Sequence, residues 1–201
     1  MFTLRKPTEP ETIEYLISRN NLPLTYGDAG LTLEPLRGFK VDRHRVLLGY
    51  GADIFQKAKD AIGNWEMFPT EMAELLWPDR PISQGTVVGV LFRATWMWSL
   101  NPCRIVSTID DARRFGFTYG TLPGHLECGE ERFCIERRMD DDSVWYELLA
   151  VSRPRHLLAW LGYPFVRHQQ ARFRRLSGEA MQRAVASKHV PLPLMNRTEE
   201  V

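Results

Sequence analysis

No stretch of this chain approaches the ~18 consecutive apolar residues that cross a bilayer as a helix, so stable membrane insertion is not expected. Residues 1–8 lack the continuous apolar segment of a signal peptide. Cys103, Cys128 and Cys134 are odd in number, with neither CxxC spacing nor a histidine at ligand spacing. They read as free thiols of a reducing compartment and argue against a disulfide framework or a zinc site. A cytoplasmic protein without metal or other cofactor is the expectation. The chain also lacks a GxxxxGK[ST] phosphate loop, a serine nucleophile elbow, internal repeats and low-complexity segments. A net charge of +1 excludes recognition of a partner by global charge, and no nucleic acid is expected.

What is present suits one globular domain with an added segment: 201 residues, 44% apolar and 25% charged. Residues 1–40 read as an N-terminal extension packed on the domain, 41–190 as the domain, and 191–201 as a loose tail. In the extension, Thr8 is a helix cap, Pro10 falls early, and Ile13, Leu16 and Ile17 form a short apolar stripe. Residues 24–30 read as irregular chain laid over the domain. Val41 to Leu48 fits a strand. Ile54, Phe55, Ala58, Ala61 and Ile62 recur at helical spacing up to a Gly63 stop. Met72 to Trp77 is expected to be a second short helix.

Beyond Pro81 the period changes to two. Apolar residues alternate through residues 87–97, 103–109, 115–119, 131–135 and 144–150, which makes five successive strands with short links. Such strands form an antiparallel meander. From Arg153 the pattern turns helical, with Leu157, Leu158 and Leu161, then Phe165, Phe173, Leu176, Ala180 and Ala184 on one face. A curved antiparallel sheet has one face to bury, and the C-terminal helix is the element large enough to cover it. The expected class is therefore α+β, a helix-grip fold, with room for a small-molecule cavity between helix and sheet.

Residues 119–133 hold three glycines, a proline, a histidine and three glutamates between two apolar runs. His125 is the candidate base or polar anchor, with Glu127 close by to set its tautomer. Glu130 and Glu131 must point to opposite faces of a strand. Glu131 shares its face with Phe133 and Ile135, which makes it the inward carboxylate. It then needs a partner, for which Arg153 or Arg93 is available. Trp96, Trp98, Trp145 and Trp160 read as core or rim packing.

Residues 117–125, 129–133, 152–154 and 161–164, with residues 24–30 and 48–51, resemble the signature of the uncharacterised DUF1990 (UPF0548) family. The resemblance covers roughly residues 24–185. It implies a Bet v 1-like, START-like fold, in agreement with the strand and helix order. It implies a superfamily whose members mostly bind apolar or amphipathic ligands, some of them being enzymes. Plant relatives have been described as pore-forming proteins of the plastid outer envelope, a role that a chain without spanning segments does not carry over.

The expected function is binding of a small apolar or amphipathic ligand, with Tyr119, His125, Glu127, Glu131 and Arg153 as polar contacts. Two alternatives stay open. One is a hydrolase or lyase using a His/Glu acid–base cluster, for which no catalytic residue is assigned. The other is a membrane-surface or pore-related module working through the C-terminal helix: residues 153–188 carry eight basic residues against one glutamate. The oligomeric state is not readable from the sequence.

Overall fold

The computed structural model describes residues 2–77, 80–94, 97–155 and 163–187. In chain order its elements are β1 (Phe2–Thr3), α1 (Glu9–Arg19), β2 (Lys40–Tyr50), α2 (Ala52–Gly63), β3 (Ala73–Leu76), β4 (Val87–Ala94), β5 (Met97–Asp110), β6 (Arg114–Thr121), β7 (Glu127–Arg137), β8 (Ser143–Pro154) and α3 (Tyr163–Ala186). The strands form one antiparallel sheet in the order β2-β8-β7-β6-β5-β4-β3, with β1 added on β5. β4 to β8 are a meander of consecutive neighbours, and β2 closes the far edge on β8.

The sheet wraps around α3, which is the helix-grip arrangement of Bet v 1-like proteins. Alternation puts Phe117, Phe133, Ile135, Tyr146 and Leu148 on the concave face, all within 1% of full burial. α2 and the turn after it close one end. Trp65, Phe68, Phe117 and Phe133 meet there, with Trp65–Phe117 and Phe117–Phe133 ring centroids 4.9 and 5.2 Å apart. α3 lies over β2 and β8 through Phe173, Leu176, Met181 and Val185, and the Tyr146 and Ser177 hydroxyls pair at 2.7 Å.

One element differs from expectation. Residues 73–76 are strand β3 rather than a helix. A stretch of four residues, Ala-Glu-Leu-Leu, is ambiguous between the two, and pairing of Ala73 to Leu76 with Phe92 to Gly89 at the sheet edge decides it. The expected stripe at 157–161, Trp96 and Trp160, and the tail at 191–201 lie outside the described residues.

The N-terminal segment runs over the convex face. In α1, the Glu11 carboxylate accepts from the backbone and hydroxyl of Thr8, a cap that the sequence announces. Residues 25–32 then form a strap across β6, β7 and β8. Leu31 is buried with Leu149 and Val151 beneath Tyr26 and Phe39.

Candidate functional site

α3 and the aromatic cluster leave the other end of the grip hollow. A cavity of about 220 Å³ remains there, between β4–β8 and the first half of α3. Its apolar walls include Val90, Phe92, Met97, Phe165 and Phe173. Its polar lining includes His125 of the β6–β7 turn, Glu127 and Glu131 of β7, and Gln170 and Arg174 of α3.

The turn is fixed by close contacts. His125 N–H donates to the Leu122 carbonyl at 3.1 Å, and Leu126 N–H donates to Asn101 Oδ1 at 3.3 Å. Gly124 sits at φ 104°, and a Cβ there would lie 2.0 Å from the Tyr15 hydroxyl of α1, so only glycine fits. On the His125 ring, Nδ1 accepts the Glu127 N–H at 2.9 Å. That bond makes Nδ1 the unprotonated nitrogen and leaves the proton on Nε2. Burial drives the imidazole down to about 3. His125 is therefore a neutral hydrogen-bond donor across the physiological range. Its ring partner is the backbone of Glu127 rather than a carboxylate.

Glu127 lies behind this turn. Ser152 Oγ donates to Oε2 at 3.1 Å, whereas Oε1 is buried without a hydrogen bond. Burial raises this carboxyl, and the Ser152, Gln170 and Arg167 side chains partly offset the rise.

Glu131 is on the concave face and lines the cavity. Tyr119 Oη, from the register-paired position on β6, donates to it at 2.5 Å. Burial raises the Glu131 carboxyl to about 7, against the opposing pull of the Tyr119 hydrogen bond and the Arg174 charge. The structure thus brings Tyr119, His125, Glu127 and Glu131 to one cavity and leaves Arg153 out. The Arg153 guanidinium sits over the Phe39 ring on the convex face, 4.7 Å from its centroid. Arg93 lines the cavity but lies over Trp98. The cation facing Glu131 is Arg174, which the arginine-rich helix pattern concealed among solvated residues. Its spacing of four from Gln170 and one from Phe173 was the available signal.

Three arginines of the same helix are engaged by carboxylates, whereas Arg172 and Arg183 are exposed. Arg167 makes two hydrogen bonds to Asp42, at 2.5 and 2.6 Å, and Arg174 lies 3.4 Å from that carboxylate. Arg175 pairs with Glu179 one turn on. Among the described residues no helix is long and apolar enough to cross a membrane, which leaves membrane crossing by strands unaddressed.

Glu130, next to Glu131, points the other way and is 3% exposed. Its carboxylate accepts from Tyr26 Oη (2.9 Å), Gly30 N–H (2.7 Å), Thr32 N–H (3.0 Å) and Thr32 Oγ1 (3.2 Å), and so ties the strap to the sheet. Tyr26 crosses β6 where Gly120 presents no side chain; a Cβ there would be 2.0 Å from Tyr26 Oη.

Residues 25–180 match the family described as Domain of unknown function (DUF1990). The chain belongs to this family. A UPF0548 protein of Dictyostelium discoideum is 34% identical over 209 residues, which cover 93% of this chain and 97% of the relative. A UPF0548 protein of Arabidopsis thaliana is 36% identical over 155 residues, 74% of each chain. The crystal structure of a hypothetical protein from Helicobacter pylori, 11% identical, shares the fold with a TM-score of 0.56 over 80% of this chain and 98% of that one. In DUF1990 terms, the signature residues divide between two tasks. Tyr26, Gly30, Gly120 and Glu130 hold the strap; Tyr119, His125 and Glu131 face the cavity.

Proposed function

We propose that this DUF1990 protein binds a small, largely apolar molecule in the cavity between the sheet and α3. The observation that carries the reading is the cavity itself: about 220 Å³ left open beside a tightly packed aromatic cluster, with polar groups converging on it from the β6–β7 turn, β7 and α3. Ligand sites of this kind combine apolar walls with a few fixed polar groups, and occupy ~300–1,000 Å³ for drug-sized molecules. A smaller volume suits a one- or two-ring compound, or a longer one that reaches out through the mouth. His125, locked as the Nε2–H tautomer, serves as a donor to a ligand oxygen. With both carboxylates raised by burial, a neutral ligand is favoured over an anionic one.

Native mass spectrometry of the purified full chain tests this directly. The expected result is a non-covalent adduct that disappears on denaturation, and its loss in Ala150→Phe, which fills the cavity wall. A chain that carries no adduct and gives no saturation-transfer NMR signal with indole as a probe would overturn the reading.

A further inference from the structure

We propose that Glu131 transfers protons to and from a substrate held in this cavity, the substrate being a small neutral carbonyl compound with an acidic C–H next to the carbonyl. The inference rests on the cavity-binding reading and adds chemistry to it.

Of the cavity's two carboxylates, Glu127 is engaged by Ser152, and its second oxygen is enclosed. Glu131 differs. Its hydrogen bond comes from a single side chain, Tyr119, and the carboxyl lines the open volume among Val90, Phe92, Ala150 and Phe173. Every element around it contributes a titratable or charged neighbour: Cys103 from β5, Tyr119 from β6, Tyr146 from β8 and Arg174 from α3. Burial pushes Cys103, Tyr119 and Tyr146 up, so all three stay protonated near neutrality, and Arg174 stays charged. Glu131, at about 7, is the member of the group that gains and loses a proton there. General acid–base catalysis is most effective when the group titrates near the working pH. An acid buried beside apolar walls also costs stability that an apolar residue of similar volume would not, and such costs concentrate at functional sites.

The step balances without an oxidant or a cofactor. The Glu131 carboxylate takes a proton from the carbon next to the carbonyl. The C–H electron pair becomes the new C=C bond, and the carbonyl π pair moves to oxygen. The cavity's N–H donors, His125 Nε2 and the Arg174 guanidinium, are available to that oxygen. Where the substrate carries a further C=C bond in conjugation, Glu131 then returns the proton to its far carbon, so that the net reaction is an isomerisation. Tyr119 is a positioning residue: its hydroxyl holds the carboxyl and favours the ionised form.

The experiment uses 5-nitrobenzisoxazole, a neutral bicyclic carbon acid. Removal of its ring C–H proton breaks the N–O bond and releases a coloured nitrophenolate. Its inert analogue 5-nitroindazole, followed by saturation-transfer NMR, reports occupancy of the cavity separately. Elimination by the full chain is expected to rise with pH about a midpoint near 7. It should fall about 100-fold in Glu131→Gln while indazole binding persists. In Tyr119→Phe the midpoint should move upward, a shift that loss of structure alone would not produce. Indazole binding with elimination unchanged in Glu131→Gln overturns this inference and leaves the binding reading standing. Absence of indazole binding removes both.

Discussion

Glu130 and Glu131 are consecutive carboxylates on one strand, and they live in opposite chemical worlds. Glu130 is buried on the convex face with four donors converging on it, two of them backbone N–H groups of the strap. Glu131 is enclosed on the concave face with one tyrosine hydroxyl and a distant guanidinium. Charge in a protein interior is tolerable when hydrogen bonds replace the lost water, and costly when they do not. Glu130 has that replacement and works as a structural clamp. Glu131 lacks it, and so its proton affinity rises into the range where proton transfer is useful. The number of donors is what separates the two residues.

The largest expected effect comes from removing the clamp. Glu130→Ala leaves the Gly30 and Thr32 N–H groups and the Tyr26 hydroxyl facing an apolar gap, and orphaned buried donors cost about 1–3 kcal/mol each before water relaxes them. A loss of about 4 kcal/mol is expected, read as a lower urea midpoint, with cleavage by a protease appearing first within residues 24–40. A loss under about 1 kcal/mol would dissolve the contrast between the two residues.

Glu131→Gln should do the reverse. Burial raises the folded carboxyl to about 7, above the ordinary glutamate value of 4.5. A raised acid is fully compatible with the fold below the unfolded value, and its ionisation works against the fold as pH rises through the folded one. The wild type thus carries a penalty at pH 8 that the variant escapes. About 3 kcal/mol follows from the ~1.36 kcal/mol per pK unit. The variant should melt several degrees higher at pH 8, with the gap closing as pH falls toward about 4.5. A gap independent of pH would show that Glu131 does not titrate as argued.

Gly120→Ala tests the crossing of strap and sheet. The new methyl would meet Tyr26 Oη at 2.0 Å and lift it from Glu130. About 2 kcal/mol of destabilisation is expected. Part of it should be recovered in the double variant with Tyr26→Phe, where the clashing oxygen is gone; strict additivity in that cycle would argue against a shared contact.

These residues also mark what sequence reading reaches. Period-two alternation assigns the five meander strands and sorts Glu131 inward, because a strand has only two faces and Phe133 and Ile135 declare which is buried. Residues 73–76 read Ala-Glu-Leu-Leu, a four-residue stretch too short to show either period. The division of the signature between clamp and cavity was illegible for a different reason. Glu130 meets donors about 100 residues away, and two of the four are backbone N–H groups, which every residue type but proline supplies. Arg153, one of the two arginines available to Glu131 by sequence, has as its register partner on β7 Cys128, a convex-face residue. Register, which local sequence does not encode, decides which cation meets which carboxylate.

Two tyrosine-to-phenylalanine changes sharpen the comparison at its smallest scale. Tyr26 and Tyr119 each donate one hydroxyl to one of the paired carboxylates. Tyr26→Phe takes one donor from four, so Glu130 keeps the Gly30 and Thr32 bonds, and about 1 kcal/mol of stability should go. That loss should be flat across neutral pH. Tyr119→Phe takes the sole side-chain hydrogen bond from Glu131 and removes a contact that favours its ionised form. Its cost should therefore be largest above pH 7, where the bare carboxylate must be ionised, and should shrink as pH falls and the carboxyl takes up its proton. Thermal melts of both variants between pH 5 and 8 read the difference. Parallel pH profiles for the two would mean that the adjacent carboxylates are equivalent, and that the number of donors is not what distinguishes them.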